Sequence, residues 1–141
     1  SLEDLTALAQ SVLSPQQKLE AFIDGMVASL FDDKGWHNRV CAREILAPSP
    51  HFASLIGEGV MPKFRLVADI LGDITGIPPG DPALARCVVS IMAPYLMLLV
   101  IDRDTPNPFQ ALLSQPVEEL AAHLKRFAVA GLLAERSARQ R

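Results

Sequence analysis

Apolar residues recur every three or four positions along most of the chain, and no stretch alternates as a half-buried strand does. Prolines and glycines divide this pattern into about six segments of helical length. The sequence therefore predicts an all-α helical bundle. We expect helices over roughly residues 1–13, 15–34, 37–47, 50–75, 82–101 and 116–134, with one further helical turn near 109–113.

Two of these helices carry clear start signals. Ser14 followed by Pro15 and Gln17 predicts a capping box with proline at the first helical position. Asp81 followed by Pro82 predicts a second capped start.

Other signals mark where helices end or bend. Gly35 is placed to end the second helix. Gly57, Gly59 and Pro62 predict a kink or short break inside the fourth helix, because proline removes a backbone bond and clashes with the preceding turn. Residues 135–141 are basic and predict a frayed end.

The stretch 81–102 (DPALARCVVSIMAPYLMLLVID) is the most apolar part of the chain and predicts a helix that is hydrophobic nearly all round. Its unbroken apolar part, about 15 residues, is shorter than the roughly 17–25 that cross a bilayer. Arg86 and Asp102 flank it. We therefore expect no membrane span, but a central helix covered by its own domain on one side and by a second subunit on the other.

The last helix carries a narrow apolar seam with the 3,4 spacing of helix-on-helix packing. A small monomer has too few other helices to cover both this seam and the central helix. A two-fold homodimer is the commonest way to cover such surface. We expect a four-helix interface built by Ile91, Tyr95, Leu98, Leu99, Val117, Leu120, Leu124 and Phe127.

Composition narrows the class of protein. The 141 residues are half hydrophobic and one fifth charged, so the chain has enough apolar side chains for a folded core. Its formal net charge of −3 opposes direct binding to nucleic acid. The N-terminus does not resemble a signal peptide, and Cys41 and Cys87 lack a CxxC spacing. We expect reduced, buried thiols in a cytoplasmic protein.

Few residues suggest catalysis. Ser–His–Asp order, HExxH, a phosphate-binding glycine loop and paired carboxylates are all absent from the sequence, which predicts neither an enzyme nor a cofactor. His37, Cys41 and Glu44 share one predicted helix face and could form a metal site. A boundary histidine beside a core cysteine is the interpretation that we favour, so no metal is expected.

A ligand site is the stronger candidate. Arg39 and Arg43 share a helix face beside Trp36 and could donate hydrogen bonds to a polar group of a small molecule. The alternative is that they pair with nearby carboxylates, those of Asp32, Asp33 or Glu44. The disrupted fourth helix packs less evenly, so we expect a largely apolar cavity lined by Trp36, Arg39, Arg43, Met61 and Phe64.

The segment 42–52 (AREILAPSPHF) resembles the "RE…P-S/T-P" segment in the C-terminal domains of a subgroup of TetR-type transcriptional regulators. The order of helices is also similar over roughly residues 15–133. The resemblance implies an effector-binding and dimerisation domain over residues 1–141, with residues 1–13 as the end of a connecting helix. The family's helix-turn-helix is not found in these residues, so contact with DNA would come through another domain.

The sequence leaves several points open. An interaction domain without a small ligand is the alternative to an effector sensor. The effector, the operator, the regulated genes and the choice between repressor and activator are not encoded in any pattern that we can interpret.

Overall fold

The computed structural model describes residues 2–32, 35–55 and 60–140, and all regular structure in these ranges is helical. This confirms the all-α prediction. The helices are α1 (Leu2–Ala9), α2 (Pro15–Leu30), α3 (Gly35–Leu46), α4 (Phe52–Leu55), α5 (Met61–Thr75), α6 (Pro82–Val100), α7 (Gln110–Leu113) and α8 (Val117–Arg139).

Helix α2 lies at the centre of the bundle. It packs mainly against α5 and α8, and it also contacts α1 and α6. Four of its apolar side chains, spaced three or four residues apart, are almost completely buried: Leu19, Ile23, Val27 and Leu30. Helix α6 packs on the other side of α5 and against α3.

Both predicted helix starts are confirmed. The Ser14 hydroxyl accepts from the Gln17 N–H at 3.2 Å, and the Gln17 side chain accepts from the Ser14 N–H at 3.0 Å. The Asp81 carboxylate accepts from the Ala83 N–H at 2.9 Å. Its other oxygen accepts from Arg139 at 3.1 Å, which joins the start of α6 to the end of α8.

The end predicted for α2 at Gly35 is wrong. The helix stops at Leu30, with Phe31 as its cap, and Gly35 is the first residue of α3. Arg103 gives the physical reason: its guanidinium donates to the Leu30 carbonyl at 2.9 Å and lies 5.7 Å from the centre of the Phe31 ring. A cation at a helix C-terminus satisfies a carbonyl and favours the helix dipole.

The turn between α5 and α6 is fixed by a buried hydroxyl. Thr75, only 2% exposed, donates from Oγ1 to the Leu71 carbonyl at 2.8 Å and accepts from the Ile77 N–H at 3.2 Å. Gly76 follows with φ of 77°, a left-handed conformation that favours glycine and ends α5.

Three other boundaries differ from the sequence prediction. Helix α1, expected to reach about residue 13, ends at Ala9, and Val12 beyond its end is fully exposed. The predicted helix over 50–75 consists of α4 and α5. Pro62 stands in the first turn of α5 instead of inside a continuous helix, and Gly57 and Gly59 lie outside the described residues. Helix α8 continues to Arg139 instead of fraying from residue 135, since the Asp81 carboxylate holds its last turn.

Helix α6 is long and apolar enough to cross a membrane by length and composition alone, with a mean hydropathy of 2.0. A core helix of a bundle meets the same criteria. Here α6 contacts α2, α3, α5 and α8, and one face is buried in the bundle. The buried residues of that face are Leu84, Cys87, Val88, Ile91, Leu98 and Leu99.

Candidate functional site

Helices α6 and α8 stand apart, and α2 forms the floor of the space between them. This groove contains a cavity of about 430 Å³. Its walls and floor are mainly apolar or small side chains. They include Ile23, Val27 and Leu30 from α2, Ser90, Pro94 and Tyr95 from α6, and Leu124, Phe127, Ala128 and Gly131 from α8. We call this space the α6/α8 groove.

Ser90, Pro94 and Gly131 line parts of the groove wall. A Cβ added at Gly131 would meet no atom within 4 Å, so that wall faces empty space. Pro94 lies inside α6 and has no N–H to donate to the carbonyl of Ser90, one turn earlier. The Ser90 side chain donates to the Arg86 carbonyl at 3.0 Å, back along its own helix.

Charged residues lie at one end of the groove. Arg86 and Glu135 line it from opposite walls, beside Cys87. Burial, together with the negative charge of Glu135, raises the pKa of the Cys87 thiol. The thiol is therefore protonated at neutral pH, and neither Cys87 nor the half-buried Cys41 is in a disulfide.

Helices α6 and α8 both expose large apolar side chains. Phe127, which lines the groove, is 75% exposed on α8, and Val89 is 63% exposed on α6. Leu96, Met97 and Leu133 add further exposed apolar area on the same two helices. Exposed apolar area of this kind is a candidate for an interaction surface.

The eight residues expected at a dimer interface divide into two groups. Ile91, Leu98, Leu99 and Leu120 are at most 9% exposed and pack in the core of the protomer, so they offer a partner little surface. Phe127 is open to a partner, while Tyr95, Val117 and Leu124 are half-buried. The sequence pattern did not predict that Val89, Leu96 and Met97 are exposed, because a helix that is apolar all round gives no sign of which face is outward.

The five residues expected at an effector site lie on α3 and at the start of α5. Arg39 and Arg43 are exposed, and Met61 and Phe64 are 39% and 37% exposed. The side chain of Trp36 lies outside the described part of the chain. Of the other four, none lines the α6/α8 groove. Their joint role in ligand binding stays a prediction.

The segment 42–52 has a clear structural role in the chain. Glu44 accepts hydrogen bonds from the Ser49 N–H at 3.0 Å and from the Ser49 hydroxyl at 2.9 Å. These bonds close the turn that contains Pro48 and end α3. The hydrogen bond from the Ser49 N–H is the larger cause, and the one from the Ser49 hydroxyl the next, of a pKa of Glu44 below its ordinary value of 4.5. Glu44 therefore caps a turn in this structure.

This contact predicts a pH-dependent local stability. Because the folded pKa of Glu44 is lowered, its stabilisation is present above about pH 4.5 and is lost as the pH falls through the folded pKa. Ser49→Ala should raise the pKa of Glu44 part of the way back, since the Ser49 N–H still donates. A carboxyl NMR titration measures this. Ser54→Ala is the control, because Ser54 bonds the His51 carbonyl; an unchanged Glu44 pKa in Ser49→Ala would contradict the assignment.

Metal binding at His37, Cys41 and Glu44 is not supported by the described residues, in which no three His, Cys, Asp or Glu side chains form a group that could hold a metal ion. The side chain of His37 lies outside them.

The fold thus presents a helical bundle with two long apolar helices bordering an open groove. Residues 15–132 match the family model for the C-terminal domain of the HTH-type transcriptional dual regulator CecR. The chain belongs to this family, and the match supports the TetR-type C-terminal domain inferred from the sequence. No curated protein matches the chain.

Proposed function

We propose that this chain is the effector-sensing and dimerisation domain of a TetR-like transcriptional regulator. The family match supports a regulator domain, and the exposed apolar surface of α6 and α8 is the observation that supports dimerisation. A second copy placed on this surface would cover Val89, Leu96, Met97 and Phe127. The regulator would act in the cytoplasm, in keeping with its two cysteines, neither of which is in a disulfide.

The effector in this proposal is a small, largely apolar molecule. It would contact Trp36, Arg39 and Arg43 on α3 together with Met61 and Phe64 on α5. A partly exposed Phe and Met, combined with two exposed guanidinium groups, would suit a molecule with an apolar body and a polar group that accepts hydrogen bonds.

The packing of α1 supports a relay from this site. Helix α1 packs against α5, which carries Met61 and Phe64, and against α2. Leu5 of α1 is buried, and Lys18 donates to the Ala9 carbonyl at 2.7 Å. An effector that binds two arrangements of α5 with different affinity would also shift α1. Helix α1 would pass that shift to a DNA-binding domain outside residues 1–141.

Fluorescence tests the effector site, because Trp36 is the single tryptophan of the chain. A panel of small apolar compounds, titrated into purified protein, should include ligands that saturably change Trp36 emission. Phe64→Ala should weaken such a ligand about tenfold or more, since burying a phenylalanine contributes about 1.5–3 kcal/mol.

Val12→Ala is the control for this experiment, because Val12 is fully exposed between α1 and α2 and belongs to neither the effector site nor the dimer surface. Affinity that does not depend on Phe64 would move the effector away from α3 and α5. A panel that leaves the emission unchanged would favour the alternative, a helical interaction domain without a small ligand.

A further inference from the structure

The side chain of Phe127 and the space at Gly131 form a matched pair on one face of α8. The two positions are four residues apart, about one helical turn. Phe127 projects into solvent with 75% of its surface exposed, whereas Gly131 leaves open space on the wall of the α6/α8 groove. A projecting side chain and a neighbouring gap on the same surface fit a second copy of that surface turned about a two-fold axis.

We propose that, in the dimer, Phe127 of each protomer enters the partner's α6/α8 groove over Gly131. This inference rests on the proposed dimer and names the contact that holds it. The two α8 helices then cross antiparallel, with the two-fold axis between residues 127 and 131. The groove is incomplete in one protomer, because the partner's Phe127 supplies its missing wall.

The charges and sizes of other residue pairs agree with this antiparallel alignment of the two α8 helices. An antiparallel arrangement that places Phe127 opposite the partner's Gly131 also places His123 opposite the partner's Glu135. Both are exposed in the protomer, and a carboxylate faces a histidine instead of a like charge. Leu124 comes opposite the partner's Ala134, again a large side chain against a small one.

A small molecule is the competing occupant of the groove, since 430 Å³ lies within the roughly 300–1,000 Å³ of ligand pockets. The projecting ring of Phe127 favours the second copy, because Phe127 lines the groove with 75% of its surface exposed and a second copy would bury it.

Sedimentation velocity across a range of protein concentrations tests the inference. Phe127→Ala should raise the dimer dissociation constant about 100-fold, because each dimer loses two buried aromatic anchors. The protomer should keep its helicity, since Phe127 is mostly exposed. Phe109→Ala is the matched control: Phe109 is 41% exposed before α7 and should leave dimerisation unchanged.

Gly131→Ala is a sharper test, because the protomer alone has room for the methyl group. It should raise the thermal midpoint of the protomer, since alanine favours a helix over glycine. It should nevertheless weaken the dimer about tenfold, by overpacking the contact with Phe127. Gly25→Ala on α2, where a Cβ also meets no atom within 4 Å, should raise the midpoint without affecting the dimer.

A double variant tests the register itself. Combining Phe127→Ala with Gly131→Phe exchanges the large and small positions, so the same pairing can form with the roles reversed. The double variant should recover at least about tenfold of the affinity that Phe127→Ala loses.

The possible results separate this inference from the proposed function. A wild-type chain that is monomeric at micromolar concentration overturns the dimer and this contact with it. A wild-type dimer that tolerates both Phe127→Ala and Gly131→Ala overturns the contact alone. A small molecule found in the groove of a monomer also overturns it.

Discussion

Leu71→Ala is expected to lower the free energy of unfolding by about 3–5 kcal/mol, the upper part of the range for a buried leucine. Leu71 is 0% exposed in the middle of α5. Helix α5 packs against α1, α2, α6 and α8, so the cavity left by the truncation would be lined from several sides and could not easily collapse.

Urea denaturation followed by circular dichroism measures this effect, with wild type and variant compared at the same protein concentration. Leu46→Ala is the matched control, because Leu46 is 69% exposed at the end of α3 and its truncation should change stability by less than about 0.5 kcal/mol. A loss below about 1 kcal/mol for Leu71→Ala would contradict the close packing of Leu71 against the helices around α5.

Phe127→Glu is expected to turn the proposed dimer into a folded monomer. In the protomer the new carboxylate is hydrated, because Phe127 is 75% exposed there. In the dimer it would lie against apolar surface without a partner, twice per assembly, at a cost of several kcal/mol for each charge. We expect the dimer dissociation constant to rise more than about 1,000-fold.

Light scattering and circular dichroism together measure this change, since mass should halve while helicity stays constant. Phe109→Glu places the same charge on an exposed phenylalanine that belongs to neither α6 nor α8 and should remain dimeric. A Phe127→Glu chain that stays dimeric would exclude this face of α8 from the interface. A half-buried neighbour such as Leu124 is a poorer site for this test, because a charge there would also disturb the protomer.

The sequence determined the features that depend on neighbouring residues. The all-α class follows from a spacing repeated within each helix, and the caps at Ser14 and Asp81 join atoms two or three residues apart. Such contacts form within one turn and need no information from the rest of the chain.

Tertiary contacts decided the boundaries that the sequence analysis misplaced. The end of α2 depends on Arg103, more than seventy residues away, and the last turn of α8 on Asp81, 58 residues away. Neither partner can be identified from the local pattern. Glu44 was considered as a partner for arginine, but a neighbouring serine takes its carboxylate through the turn at Pro48.

The position of the groove was decided only by packing. Helix α6 is apolar nearly all round, so its pattern has no preferred direction and cannot show which face is buried. Contacts with α3 and α5 choose the face that carries Ile91, Leu98 and Leu99, and leave Val89 and Met97 outside. The sequence could show that this helix needs covering on most sides. The neighbours available within one protomer decide which side remains for a partner.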